Sequence, residues 1–304
     1  MTRVDRALVL TAGLGTRLRP LSLARAKAAL PVAGVPLAGR ILRWLAAGGV
    51  TDAVLNLHYR PETIAREIGD GGGTGVRVRY SWEQPLLGSA GGPRKALSIL
   101  DTDRFLIING DTLTDVPLAA ITESHQRSRA LVTMALIPNP RPEYYGGVVV
   151  RDDIVCGFTN TGPNFHFVGV QVVEASVFAE VPEDRPSSSV GALYPSLMKM
   201  RPDAIRAFVC EASFDDIGTP SDYLATSLRA AAQEHAAQRL RGADCTVHPG
   251  AEVTRSVLWD RVDVGDGAAL IECVVSDDVA IPAGARFERQ AIVRSENGLI
   301  TAPL

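Results

Sequence analysis

Apolar and polar positions alternate with two different periods along the first 137 residues. Short runs that are apolar on both faces read as buried strands over Ala7–Leu10, Ala53–Leu57, Val76–Tyr80, Phe105–Ile108 and Leu131–Ile137. Between them the pattern predicts helices over about 38–47, 61–69, 90–100 and 117–128, with Pro61 and Pro117 at first-turn positions. Strictly alternating strands and helices predict an α/β fold, a doubly wound and mostly parallel sheet. Ligands of such sheets lie at the carboxyl ends of the strands.

The pattern changes after residue 144. Strand-like runs at 147–151, 154–158 and 166–173 predict a β-rich insertion, followed by a helix near 190–200 and a strand at 205–209. An Ala-rich stretch predicts one long helix over about 221–241. The last sixty residues repeat: "VHPGAEV" begins at Val247, "VGDGAAL" at Val264 and "IPAGARF" at Ile281, a spacing of 17 each time. A coil of three six-residue sides accounts for that period, so about three coils of a short left-handed β-helix are expected. The expected division is a catalytic domain over 1–241, with an insertion over about 140–215, and a β-helix over 242–304.

Composition narrows the function. A net charge of −3 over 304 residues supplies no global basic field for nucleic acid. No apolar run approaches the ~18 residues a membrane span needs. The start of the chain lacks a signal-peptide pattern, and Cys156, Cys210, Cys245 and Cys273 form no CxxC pair, so a cytoplasmic setting with reduced thiols is expected. The five histidines show no ligand spacing. His166 is the one that falls in a candidate functional segment, and a structural role is favoured for it.

The candidate chemistry begins where the first strand ends, in "LTAGLGTRLRPLSLARAKAAL" from Leu10 to Leu30. Gly13 and Gly15 let backbone N–H groups approach anionic oxygens. Thr16, Arg17, Arg19 and Lys27 surround that turn with phosphate-binding groups. Lysine is rare here: Lys27, Lys95 and Lys199 stand against 28 arginines, which points to a compact, mobile charge at position 27. The loop is neither a Walker A motif nor a good dinucleotide fingerprint, because Leu18 stands at the third glycine position. Asp111 follows a buried strand at its carboxyl end, where a carboxylate can hold Mg²⁺ against substrate phosphates; helix capping is the competing reading.

This segment resembles the signature of sugar-1-phosphate nucleotidyltransferases, and more closely the mannose-1-phosphate guanylyltransferase-like branch. "EQPLLGSAGG" at 83–92, "LIINGDTL" at 106–113, "FHFVGVQV" at 165–172 and "FDDIGTPSDYL" at 214–224 extend the resemblance over nearly the whole chain. It implies an NDP-sugar and pyrophosphate made from an NTP, GTP favoured, and a sugar 1-phosphate resembling mannose 1-phosphate. Arg17 and Lys27 are the implied catalytic residues. Ala12, Gly13, Gly15, Thr16, Glu83, Gly88 and Ser89 would face the nucleotide, with Gln84 an alternative to Glu83. Asn109, Gly146, Asn164 and Gly169 would line the sugar pocket, although Asn164 equally suits a turn. Mg²⁺ would be held by Asp111 and Asp216, with Asp215 the substitute for the latter and capping again the competing role.

Two departures stand out. The usual Lys-Pro is Lys27-Ala28, and a Glu-Lys-Pro motif common after the central insertion strand is replaced by "GFTNTGPNFHF", so that either Arg141 or Arg151 grips the sugar phosphate or the sugar differs from the usual hexoses. That second departure leans towards a UTP-dependent amino-sugar uridylyltransferase, while the "GSAGG" loop and the solenoid lean towards GTP. A non-catalytic sugar-nucleotide-sensing subunit is the alternative from another class. The solenoid suggests a homo-oligomer; nucleic acid and membrane are not expected partners.

Overall fold

The computed structural model describes residues 4–161 and 164–304. The chain divides into two compact units. One holds the residues through Gly13 with Ala38–Pro61 and Ile68–Asp215; the other holds Leu14–Leu37, Glu62–Glu67 and Asp216–Leu304.

The first unit is built on a nine-stranded sheet. In chain order its strands are β1 (Arg6–Leu10), β2 (Asp52–Leu57), β3 (Arg77–Trp82), β4 (Arg104–Asn109), β5 (Val132–Pro138), β6 (Gly147–Arg151), β7 (Ile154–Thr159), β8 (Phe165–Glu174) and β9 (Ile205–Val209). Their spatial order is β3-β2-β1-β4-β8-β5-β9-β7-β6. The first four are mutually parallel. β8 then runs antiparallel to both β4 and β5, and β9 parallel to β5. The three strands expected in the insertion are therefore continuous with the one sheet.

Burial follows the apolar pattern. All six residues of β2 are buried, whereas β3, at the sheet edge, exposes both of its ends. Leu8, Val54, Ile107, Met134, Leu136, Val173 and Ile205 form the core with Ala90, Ala96 and Leu100 of a helix over Gly88–Leu100 and Tyr194 and Leu197 of a helix over Tyr194–Met200. That last helix opens with a wide π-helical turn over Ser189–Leu193. Because β1–β4 are parallel, their carboxyl ends bring Thr11, Glu83 and Asn109 to the same edge of the sheet.

In the second unit, the helix expected over 221–241 is shorter, Pro220–Gln233, with a separate 3-10 turn over Ala237–Leu240. Its end is specified locally. His235 takes φ 49°, its N–H donates to the Ala232 carbonyl, and the Ala236 N–H donates to the Ala231 carbonyl, the 5→2 and 6→1 bonds of a Schellman stop.

The repeat folds as its period requires. Parallel ladders join residues 17 apart on three sides, such as Val247 to Val264 to Ile281, Val253 to Leu270 to Phe287, and Val257 to Val274 to Ala291. Leu258, Val262, Val264, Leu270, Cys273, Val275, Val279, Ile281 and Ile292 fill the interior of this left-handed β-helix. The last coil ends in an antiparallel hairpin, Gln290–Ser295 with Gly298–Pro303.

Candidate active site

In the second unit, the loop after Gly13 carries a charged cluster. Gly15 adopts φ 60° and opens a 3-10 turn over Thr16–Leu18, while Ser22 donates its hydroxyl to the Gly15 carbonyl at 2.8 Å. Arg17 and Thr16 are exposed; Lys27, in a second such turn over Lys27–Ala29, is half-buried. Lys27 Nζ lies 4.0 Å from Asp216 Oδ1. A Cβ placed on Gly218 would stand 3.1 Å from both Arg17 Nη1 and Asp216 Oδ2. Arg17 and Asp216 thus meet at Gly218, whose missing side chain leaves them room, and Lys27 lies on the other oxygen of Asp216. Asp216 does not cap the following helix. Thr219 and Asp222 do so, as a reciprocal capping box, with the Asp222 N–H donating to Thr219 Oγ1 at 3.2 Å and the Thr219 N–H to Asp222 Oδ2 at 2.9 Å.

In the first unit, β1 delivers Thr11 and Ala12 to the side chain of Asn56, a buried polar residue in an otherwise apolar strand. The N–H groups of both donate to Asn56 Oδ1, at 2.6 and 3.3 Å. Asn56 Nδ2 in turn donates to Glu83 Oε1 at 2.7 Å, and the Leu87 N–H donates to Glu83 Oε2 at 2.8 Å. Glu83 is fully buried, and a Cβ on Gly92 would come within 2.6 Å of its Oε1. Glu83 and the Ala12 N–H, both expected to face a nucleotide, are thus engaged through Asn56 inside the protein, joining two loops. Gly88 and Ser89 belong to the same packing. A Cβ on Gly88 would meet the Ser187 carbonyl at 2.8 Å, and Ser89 Oγ accepts from the Ser189 N–H at 2.9 Å. The small residues of this loop are explained by protein contacts, unlike Gly13, where a Cβ would meet no described atom within 4 Å.

Asp111 lies in the turn between β4 and a short strand over Thr112–Thr114, with Thr112 Oγ1 at 3.4 Å from its Oδ1. The helix that follows starts at Leu118 with Pro117 as its cap and no side-chain capping bond. Asp115 accepts from the Ser213 N–H at 2.6 Å. Neither metal candidate therefore caps a helix. Each is a half-buried carboxylate, a hard oxygen donor of the kind a divalent cation takes. Among the described residues no group of three or more His, Cys, Asp and Glu gathers for a metal.

The residues expected to line the sugar pocket are distributed unevenly. Gly169 takes φ 80° where the β8–β5 register shifts, and a Cβ there would fall 2.7 Å from the Asn109 side chain, so these two are neighbours. Asn164 stands just before β8: Asn139 Nδ2 donates to its Oδ1 at 2.7 Å, and its amide fills the space beside Gly147. It is Gly147, more than the expected Gly146, that has no room for a side chain. His166 packs between the rings of Tyr145 and Phe214, with centroids at 4.6 Å each. Burial pushes its imidazole pKa down, against a weaker opposing contact with the Gly146 carbonyl. Arg141 stacks over Tyr144 and Tyr145, with its Nη2 2.7 Å from the Tyr145 hydroxyl. Sequence reasoning passed over Asn56 and Gly218. A lone Asn inside "AVLNL" was the available signal for the first; the second had none.

A nucleotidyl transferase profile matches residues 6–233, and a GlmU-like C-terminal hexapeptide profile matches residues 232–295. The chain belongs to the nucleotidyl transferase family. It is 32% identical over 298 residues to a mannose-1-phosphate guanylyltransferase of Mycobacterium tuberculosis, covering 93% of this chain and 83% of that one. It is 31% identical over 223 residues to the D-glycero-alpha-D-manno-heptose 1-phosphate guanylyltransferase of Aneurinibacillus thermoaerophilus, covering 71% of this chain and 94% of that one. The crystal structure of HddC from Yersinia pseudotuberculosis shares the fold, with a TM-score of 0.67 at 23% identity over 75% of this chain and all of the other. This nucleotidyl transferase is an enzyme that joins a nucleotide to a sugar phosphate, and its family works with a divalent metal. No helix among its described residues is long and apolar enough to cross a membrane.

Proposed function

We propose that this transferase makes a GDP-sugar and pyrophosphate from GTP and mannose 1-phosphate or a sugar 1-phosphate of the same stereochemical type. The observation that carries this reading is the similarity to the mycobacterial guanylyltransferase, which extends over both the transferase and hexapeptide segments. The shorter similarity to the heptose-specific enzyme supports a manno-heptose 1-phosphate as the second candidate.

In this reaction a sugar-phosphate oxygen attacks the α-phosphorus in line, and the bond from that phosphorus to the pyrophosphate oxygen breaks. The nucleophile is already anionic, so no general base is needed and catalysis rests on positioning and charge neutralisation. Arg17, exposed beside the loop, stabilises the departing pyrophosphate. Lys27, held near Asp216, neutralises charge at the α-phosphate. Asp111 and Asp216 are the proposed ligands of Mg²⁺, and their freedom from capping duties supports that role. When bound, the ion supplies Lewis-acid charge neutralisation at the phosphate oxygens. Gly13 and Gly15 are the proposed approach to the phosphates, and Asn109 with Gly169 the proposed approach to the sugar.

The test is Mg²⁺-dependent pyrophosphate release over a grid of NTPs and sugar 1-phosphates that includes mannose, manno-heptose, glucose and N-acetylhexosamine. GTP with mannose 1-phosphate is expected to give the highest kcat/KM. A maximum at UTP with an amino-sugar phosphate would replace the assignment. Nucleotide binding without turnover anywhere on the grid would favour a sensing subunit.

A further inference from the structure

Arg25 lies between Arg17 and Lys27 in the signature loop, and its side chain is only 3% exposed. Its guanidinium is fully engaged by the second unit. Nε and Nη2 donate to the two oxygens of Asp277, both at 2.6 Å, and Nη2 also donates to Asp260 Oδ2 at 2.5 Å. Nη1 reaches Glu67 Oε1 at 3.4 Å, and the guanidinium carbon lies 5.5 Å from the ring centroid of Trp259. Asp260 and Asp277 occupy equivalent positions on successive coils of the β-helix. They are bound to each other, because the Asp260 N–H donates to Asp277 Oδ1 at 3.1 Å.

A second tie lies on the other side of Lys27. The fully buried Trp259 donates from Nε1 to the Tyr223 hydroxyl at 2.9 Å, and that hydroxyl donates to the Pro31 carbonyl at 2.6 Å. Between the two ties the Ala26 N–H donates to Thr63 Oγ1 at 3.0 Å. Lys27 is flanked by Ala26 and Ala28, which impose no restriction on the backbone of the kind proline would. The local 3-10 bonds of Lys27–Ala29 shape the turn, and the tertiary ties on either side hold it in place.

Net stability is a poor account of the Arg25 cluster. Desolvating a guanidinium and several carboxylates costs about what their attraction returns, and an apolar replacement of the whole cluster is often as stable. What a bidentate fork adds is geometry. We propose that Arg25, clamped by Asp260 and Asp277, is a positioning residue through which the β-helix fixes the placement of Lys27 for nucleotidyl transfer. The β-helix is then a part of the catalytic apparatus at one remove. The inference rests on the proposed role of Lys27.

The test uses the full-length chain, with Asp277→Asn and, as a variant that keeps the charge and loses the fork, Arg25→Lys. Amide hydrogen exchange is read first. The amides of Ala26, Ala29 and Leu30 are expected to exchange about ten-fold faster or more in either variant, while Arg104–Asn109 in the first unit is unchanged. Turnover is read second. Pyrophosphate release is expected to lose about ten-fold or more in kcat, with KM for the nucleotide within about two-fold. In a Lys27→Ala background the same substitutions are expected to cause no further loss. Unchanged exchange in both variants would overturn the proposal. So would an equal fractional loss of kcat with and without Lys27, which is the signature of a merely structural cluster. If the wild-type chain releases no pyrophosphate on any substrate pair, the function assignment fails, and the exchange result still decides whether the β-helix holds the loop. A Asp277→Asn chain that does not fold leaves Arg25→Lys to give both readouts.

Discussion

Two loops expected to bind nucleotide are held in opposite ways. The 83–92 loop is fastened by one buried carboxylate, Glu83, that receives neutral donors from Asn56 and Leu87. The 14–31 loop is fastened by one buried cation, Arg25, that reaches several carboxylates, two of them on the β-helix. The first arrangement closes within the sheet-based unit and leaves its small residues packed on protein. The second leaves Thr16 and Arg17 outward and assigns the anchoring to the β-helix. Two loops of similar small-residue composition thus differ in what holds them, one by a buried anion and the other by a buried cation.

The largest expected effect lies on the charged side of this contrast. Lys27→Ala is expected to lower kcat by about 10²–10³ with little change in melting temperature, because a charge contact in the transition state is lost while little packing is. Turnover and a thermal melt on one sample check it. On the neutral side, Glu83→Ala strands the Asn56 amide and the Leu87 N–H in a dry site. It is expected to cost about 2–4 kcal/mol by urea unfolding, with stability lost before substrate affinity. Gly218→Ala places a methyl group against Arg17 and Asp216. It is expected to lower kcat by about ten-fold with stability within about 1 kcal/mol, separating crowding at the cluster from loss of an anchor.

The smallest effect concerns pH and separates the two units. His125 and His166, both in the sheet-based unit, have pKa values lowered from 6.5, chiefly by burial. The unfolded chain therefore binds protons before the native one, and native stability is full above about pH 6.5 and declines as pH falls below it. Urea midpoints at pH 7.0 and pH 5.5 are expected to show that loss, and His125→Gln to reduce its pH dependence.

The sheet, the helices and the coil period were legible because each depends on apolar periodicity, which one sequence displays directly. The strands over 147–173 were visible as strands but not as members of the same sheet, since register across long separations leaves no local mark. The end of the helix at Gln233 was hidden for another reason: His235 takes a left-handed conformation that glycine or asparagine would have announced. Arg17, Lys27 and Asp216 were singled out by chemistry and motif, and Arg17 and Lys27 both lie beside Asp216. The burial of Glu83 was not legible, because a buried carboxylate and a ligand-facing one look alike in sequence. Arg25 was read past altogether, as one arginine among 28, since its meaning comes from Asp260 and Asp277, more than 230 residues away.

The 17-residue coil has a consequence for how this chain tolerates insertion and deletion. Adjacent coils are spaced by one strand separation, about 4.8 Å. A whole coil added after Asp277 would lengthen the rod and leave both partners of Arg25 where they stand. The same coil added between Asp260 and Asp277 would draw the two carboxylates apart by one step, and a single guanidinium would no longer span them. Length variation in this rod is therefore free at its far end and forbidden near its root.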